Sequence, residues 1–74
     1  MDNRTEKLKD SIDETEQEIK NTQLVLQEVL KLKDKAKNKE LKYKIDDLIK
    51  YLDSDIKFLE DIKQSDENTL NLFY

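Results

Sequence analysis

From Leu8 onward, apolar or small side chains fall at positions 8, 12, 15, 19, 22, 26 and 29, in alternating steps of four and three. Such spacing holds a stripe on one face of an α-helix and makes that stripe a seam for another helix. Leu8, Thr15, Thr22 and Val29 share one heptad place; Ile12, Ile19 and Leu26 share the other. The two threonines weaken the first half of the seam, while Leu24, Val25, Leu30 and Leu32 widen the apolar face toward its far end. A second stretch repeats the pattern at Leu41, Ile45, Leu48, Leu52, Leu59 and Ile62, with Asp55 interrupting it. Ile49 and Ile56 flank this second seam on one side, and Tyr51 and Phe58 on the other.

These spacings predict an all-α fold: helix 1 over about 4–36, a turn at about 37–40, helix 2 over about 41–64, and a short tail at 65–74, all in one domain. The linker KDKAKNKE has no strong helix breaker. Asn38 is its best turn candidate, because Asn tolerates a left-handed backbone and serves as a cap. An uninterrupted long helix is the rival arrangement. Two capping boxes compete for the start of helix 1, Asn3 with Glu6 and Ser11 with Glu14. The expected core is Leu26, Val29, Leu30, Ile45, Leu48, Ile49, Leu52, Ile56, Leu59 and Ile62. Helix 2 carries a wider apolar face than one neighbour covers, so the hairpin is expected to pair with a second copy into a four-helix-bundle-like dimer.

A chain of 74 residues buries little surface, which again favours a partner. It has no Cys, His, Gly or Pro. Disulfides, thiolate metal sites, the commonest general base and Gly-rich phosphate loops are therefore all excluded. No enzymatic activity, cofactor or metal is expected. No apolar run reaches the ~18–20 residues that span a bilayer, and MDNRTEKLKD is not expected to start a secretory signal. The expected location is cytoplasmic, away from membranes.

Charge is unevenly distributed. Residues 1–30 hold eight acids against four bases (−4), residues 31–44 seven lysines against two acids (+5), and residues 45–74 eight acids against three lysines (−5). A hairpin therefore has acidic arms and a basic tip. Asp46, Asp53, Glu60 and Glu67 recur every seven residues on helix 2, with Asp47 and Asp61 beside them. At 1.5 Å per residue these charges repeat about every 10 Å, a spacing that a basic surface reads much as it reads a nucleic-acid backbone. The same stripe also serves simply as a solvated face. The lysines of the tip lack arginine and carry one nearby aromatic, Tyr43; direct nucleic-acid binding is not expected.

Residues 69–74 read TLNLFY. Thr69-Leu70-Asn71-Leu72-Phe73 resembles the pentapeptide with which bacterial polymerases and repair proteins engage the DNA sliding clamp. That pattern is Gln, Leu, a small polar residue, Leu and Phe; Leu70, Leu72 and Phe73 match it, and Thr69 stands where Gln is usual. Leu70 and Phe73 equally extend the helix 2 seam. The whole chain, small, cysteine-free and rich in Lys, Asn and Asp, is similar to early proteins of phages infecting low-GC Gram-positive bacteria. That group includes staphylococcal phage inhibitors of the host sliding clamp. The resemblance implies a replication inhibitor acting in the host bacterial cytoplasm on the clamp of DNA polymerase III. Two modes are open: an acidic dimer, about as wide as a DNA duplex, filling the clamp's basic channel and blocking loading; or the tail competing for the peptide pocket. A coiled-coil adaptor or chaperone-like module is the reading from another class.

Overall fold

The computed structural model describes residues 3–72 and folds them into two long helices, α1 (Asn3–Lys35) and α2 (Lys39–Asn71), packed side by side as a hairpin. Its Cα atoms extend 57 × 14 × 13 Å. The rival single helix is excluded by contacts across the pair. Lys33 Nζ lies 2.8 Å from Asp46 Oδ1 near the turn, and Ser11 Oγ donates to Asp66 Oδ2 at 2.8 Å near the open end. Those two contacts fix an antiparallel register along nearly the whole length.

The turn is tight. Ala36 and Lys37 leave α1, and Asn38 begins α2 as its N-cap at φ −99°, ψ 131°. Asn38 is thus extended, not left-handed, and no described residue has positive φ. Its side-chain oxygen accepts from the Glu40 N–H at 2.8 Å, satisfying a donor that the helix leaves open. Lys33 and Lys35 stand in the last turn of α1, and Glu40 in the first turn of α2, each favoured by the local helix dipole. α1 begins at Asn3, so Ser11 lies within the helix and is not its cap.

The core is a single line of contacts. Val29, Ala36, Ile45 and Leu52 form its main cluster, with Leu26 and Ile49 packed against it; Ile56, Leu59 and Thr15 continue the buried line toward the open end. The Thr15 hydroxyl is satisfied by donating to the Ser11 carbonyl at 2.8 Å, so a threonine at a seam position leaves no orphan. No side chain is fully enclosed among the described residues, because two helices alone cannot surround one.

The register of α2 differs from expectation. The residues turned to α1 are Ile45, Ile49, Leu52, Ile56 and Leu59, followed by Lys63, Asp66 and Leu70. Ile49 and Ile56, expected on the flank, are in the seam. Leu41 and Leu48, expected in the seam, are exposed, Leu48 at 43%. Leu30 is also exposed and not core, while Ile62 and Asp55 are half-buried at the margin. Both stripes obey heptad spacing; the one chosen is the more β-branched, and its margins place Lys63 and Asp66 opposite partners on α1.

The expected end of helix 2 near residue 64 is also corrected. α2 continues to Asn71, with no Gly or Pro to stop it and with Lys63 and Asp66 tied to α1.

Candidate protein-interaction surfaces

A helix turns about 100° per residue, so the neighbours before and after a seam residue leave on opposite flanks. Tyr51 and Asp53 straddle Leu52, and Phe58 and Glu60 straddle Leu59. One flank of the hairpin therefore carries exposed apolar side chains and the other carries Asp46, Asp53, Glu60 and Glu67. Leu41, Leu48, Tyr51 and Phe58 all stand exposed, Tyr51 at 67% and Phe58 at 62%. Val25 and Leu32 of α1, also exposed, lie on the side of that helix away from Glu16.

The acidic flank is built from Asp46, Asp53, Glu60 and Glu67 together with Glu16 from α1. Asp46 is paired with Lys33, Asp53 with Lys57 at 3.5 Å, and Glu67 with Lys63 at 3.6 Å. Lys63 also reaches Glu16 Oε1 at 2.9 Å, so one ammonium gathers carboxylates from both helices. Glu60 makes no ion pair among the described residues, nor do the exposed Asp47 and Asp61. Of the six acids of the sequence stripe, Asp46, Asp53 and Glu67 are thus paired with lysines. Among the described residues Glu60 is unpaired on the same flank, and Asp47 and Asp61, one residue further round α2, are unpaired on its outer face. Pairs as exposed as Asp53–Lys57 are easily exchanged for other cations.

The Lys63 ammonium, through its hydrogen bond and its charge, holds the Glu16 carboxyl below its ordinary value. In return the hydrogen bond to Glu16, reinforced by the charges of Glu16 and Glu67, raises Lys63 above its ordinary value. Neither group is poised near neutrality, where acid–base chemistry would place it.

Surface depressions are shallow and open. One is lined by Asn38, Glu40, Leu41 and Lys44 at the basic tip, another by Ile19, Glu60, Lys63, Gln64 and Glu67 on the acidic flank. Among the described residues no group of acids is arranged to hold a metal ion, and no helix is long and apolar enough to cross a membrane.

The peptide-like segment is not presented as an extended strand. Thr69 Oγ1 donates to the Ser65 carbonyl at 3.0 Å, and the Leu72 N–H donates to the Thr69 carbonyl at 3.1 Å. Leu70 is half-buried on the side of α1, Leu72 is 84% exposed, and Phe73 lies outside the described residues. The motif's first leucine is therefore engaged in the hairpin.

Sequence reasoning missed Ala36, Lys63 and Asp66 as members of the seam. A small residue beside a turn gives no periodic signal, and charged seam residues become legible only when their partners are known. Compared with known proteins, the chain matches no family model, no curated sequence and no solved structure.

Proposed function

We propose that this protein is a non-enzymatic inhibitor of bacterial DNA replication. It binds the sliding clamp of DNA polymerase III as an acidic helical homodimer, occupies the clamp's basic DNA channel and prevents loading onto DNA. The observation that carries this reading is the division of the hairpin into two flanks. An apolar flank pairs the protomers, which leaves a regular acidic flank on each outer side. The acids repeat about every 10 Å along a straight helix, and two stacked hairpins, each one helix thick and two wide, make a rod roughly 20 Å across. A basic channel shaped for a duplex is complementary to such a rod in charge and width.

Of the two clamp modes, the channel is proposed on the strength of the helical end of α2. Pocket binding through Leu70, Leu72 and Phe73 requires the end of α2 to unwind and Leu70 to leave α1. A coiled-coil adaptor is the rival reading from another class, and it draws on the exposed apolar flank. Salt separates the two. Binding through acidic flanks weakens steeply as ionic strength rises, whereas apolar helix pairing tolerates it. The deciding experiment is titration of purified clamp at two salt concentrations, coupled to a clamp-loading assay. Saturable, salt-sensitive binding that blocks loading supports the proposal; absence of binding removes it.

A further inference from the structure

The exposed row on α2 has a symmetry of its own. Leu41, Lys44, Leu48, Tyr51, Asp55 and Phe58 advance in steps of three and four, a second heptad seam beside the one that α1 fills. Laid antiparallel against a copy of itself with Leu48 opposite Tyr51, the row is complementary throughout. Leu41 then meets Phe58, and Lys44 meets Asp55. One two-fold axis, midway between Leu48 and Tyr51, satisfies every pairing at once, as an isologous interface demands.

The two charged members have no better use within the hairpin. Asp55 is half-buried, and no hydrogen bond or ion pair engages it among the described residues. Lys44 reaches only Glu40, at 3.7 Å, with both side chains largely exposed. Lys44 and Asp55 of one chain are about 16 Å apart along the helix, beyond contact. A charge set in an apolar row is unfavourable unless the facing surface supplies its counter-charge.

We propose that this row is where a second copy of the chain docks, antiparallel, with two symmetry-related Lys44–Asp55 ion pairs framed by Leu48–Tyr51 and Leu41–Phe58 contacts. The proposal rests on the dimeric reading above and adds the face, the direction and the register. An unrelated partner gives no reason for the row to complement its own reversal. Antiparallel docking in this register also sets the two basic tips about 30 Å apart along the seam, well beyond the screening length that limits their repulsion.

The test is charge exchange read by sedimentation equilibrium, with circular dichroism confirming helix content. D55K and K44D alone each weaken self-association by at least about tenfold, because like charges then face each other across the seam. The double variant K44D/D55K restores it toward the original. Oxidative cross-linking gives an independent reading in a chain free of native cysteine. A mixture of L41C and F58C chains forms the mixed disulfide, whereas L41C alone does not, its two sites lying about 26 Å apart along the seam. A monomer at tens of micromolar, failure of the double variant to recover, or ready L41C homodimers each overturn the proposal. None of these readings involves the clamp, so they stand or fall apart from the inhibitory function.

Discussion

Ser11 on α1 and Asp66 on α2, separated by 55 positions in the chain, are joined by a 2.8 Å hydrogen bond near the open end of the hairpin. Together with the Glu16–Lys63 pair one turn away, it holds the final turns of α2 against α1. Ser11→Ala is expected to lower stability by about 0.5–1.5 kcal/mol. The loss should be concentrated at the open end, seen as faster hydrogen exchange in residues 66–71 with little change near the turn.

The Glu16–Lys63 pair gives stability a defined pH dependence. Glu16 is lowered from 4.5, so its contribution is complete above that value and disappears as pH falls through the lowered one. Lys63 is raised from 10.5, so its contribution is complete below that value and disappears as pH rises through the raised one. A plateau between these limits is expected in thermal melts, and Glu16→Gln should lower the plateau while flattening both edges. An unchanged acid edge in E16Q would assign it to other carboxylates.

Asn38 is the sole side-chain cap that the tight turn supplies to α2. Asn38→Ala is expected to cost about 0.5–2 kcal/mol, and Asn38→Gly only a few tenths. No loss in either variant, measured by urea titration, would show that the side-chain acceptor contributes nothing.

Leu52 sits at the middle of the buried line. Leu52→Ala is expected to cost about 2–5 kcal/mol, comparable with the whole stability of so small a unit. Leu48→Ala, one turn away in the row that α1 leaves exposed, should disturb the isolated hairpin far less. Comparing the two variants under dilute conditions checks the register of α2 directly.

For partner binding, the informative acids are the three that keep their charge. Reversing Asp46 or Glu67 would set a lysine beside Lys33 or Lys63 and damage the hairpin. The triple variant D47K/E60K/D61K avoids those pairs and, with self-association checked by sedimentation because Asp47 and Asp61 neighbour Tyr51 and Phe58, is expected to reduce clamp affinity by at least about tenfold and to flatten its salt dependence. Deleting residues 69–74 is expected to leave affinity within about threefold, a change under 1 kcal/mol. The opposite outcome, assayed by titration at matched salt, would transfer the function to the peptide pocket.

Much of this was legible in the sequence. Steps of four and three gave two helices, and Asn38 marked the turn to within a residue or two, although as an extended cap and not as the left-handed residue expected. The register of α2 was not legible, because two overlapping stripes obey the same spacing. Ile45, Ile49, Leu52, Ile56 and Leu59 make one; Leu41, Leu48, Tyr51, Phe58 and Ile62 make the other. The one that faces α1 brings Lys63 and Asp66 to Glu16 and Ser11, a relation between distant positions. The same relation explains the misplaced end of α2. QSDEN has the composition of a frayed tail, yet its Asp66 is held across the hairpin. The acidic row was legible as a row, but not its division into paired and unpaired members, which depends on where Lys33 and Lys63 reach.

No side chain of the single-file core is fully enclosed, and this has a calorimetric consequence. The rise in heat capacity on unfolding scales with the apolar surface newly wetted, and a hairpin of this thickness wets little that was dry before. Its free energy of folding should vary only gently between cold and warm conditions. A curve that sharpens with protein concentration would measure how much surface the second copy covers.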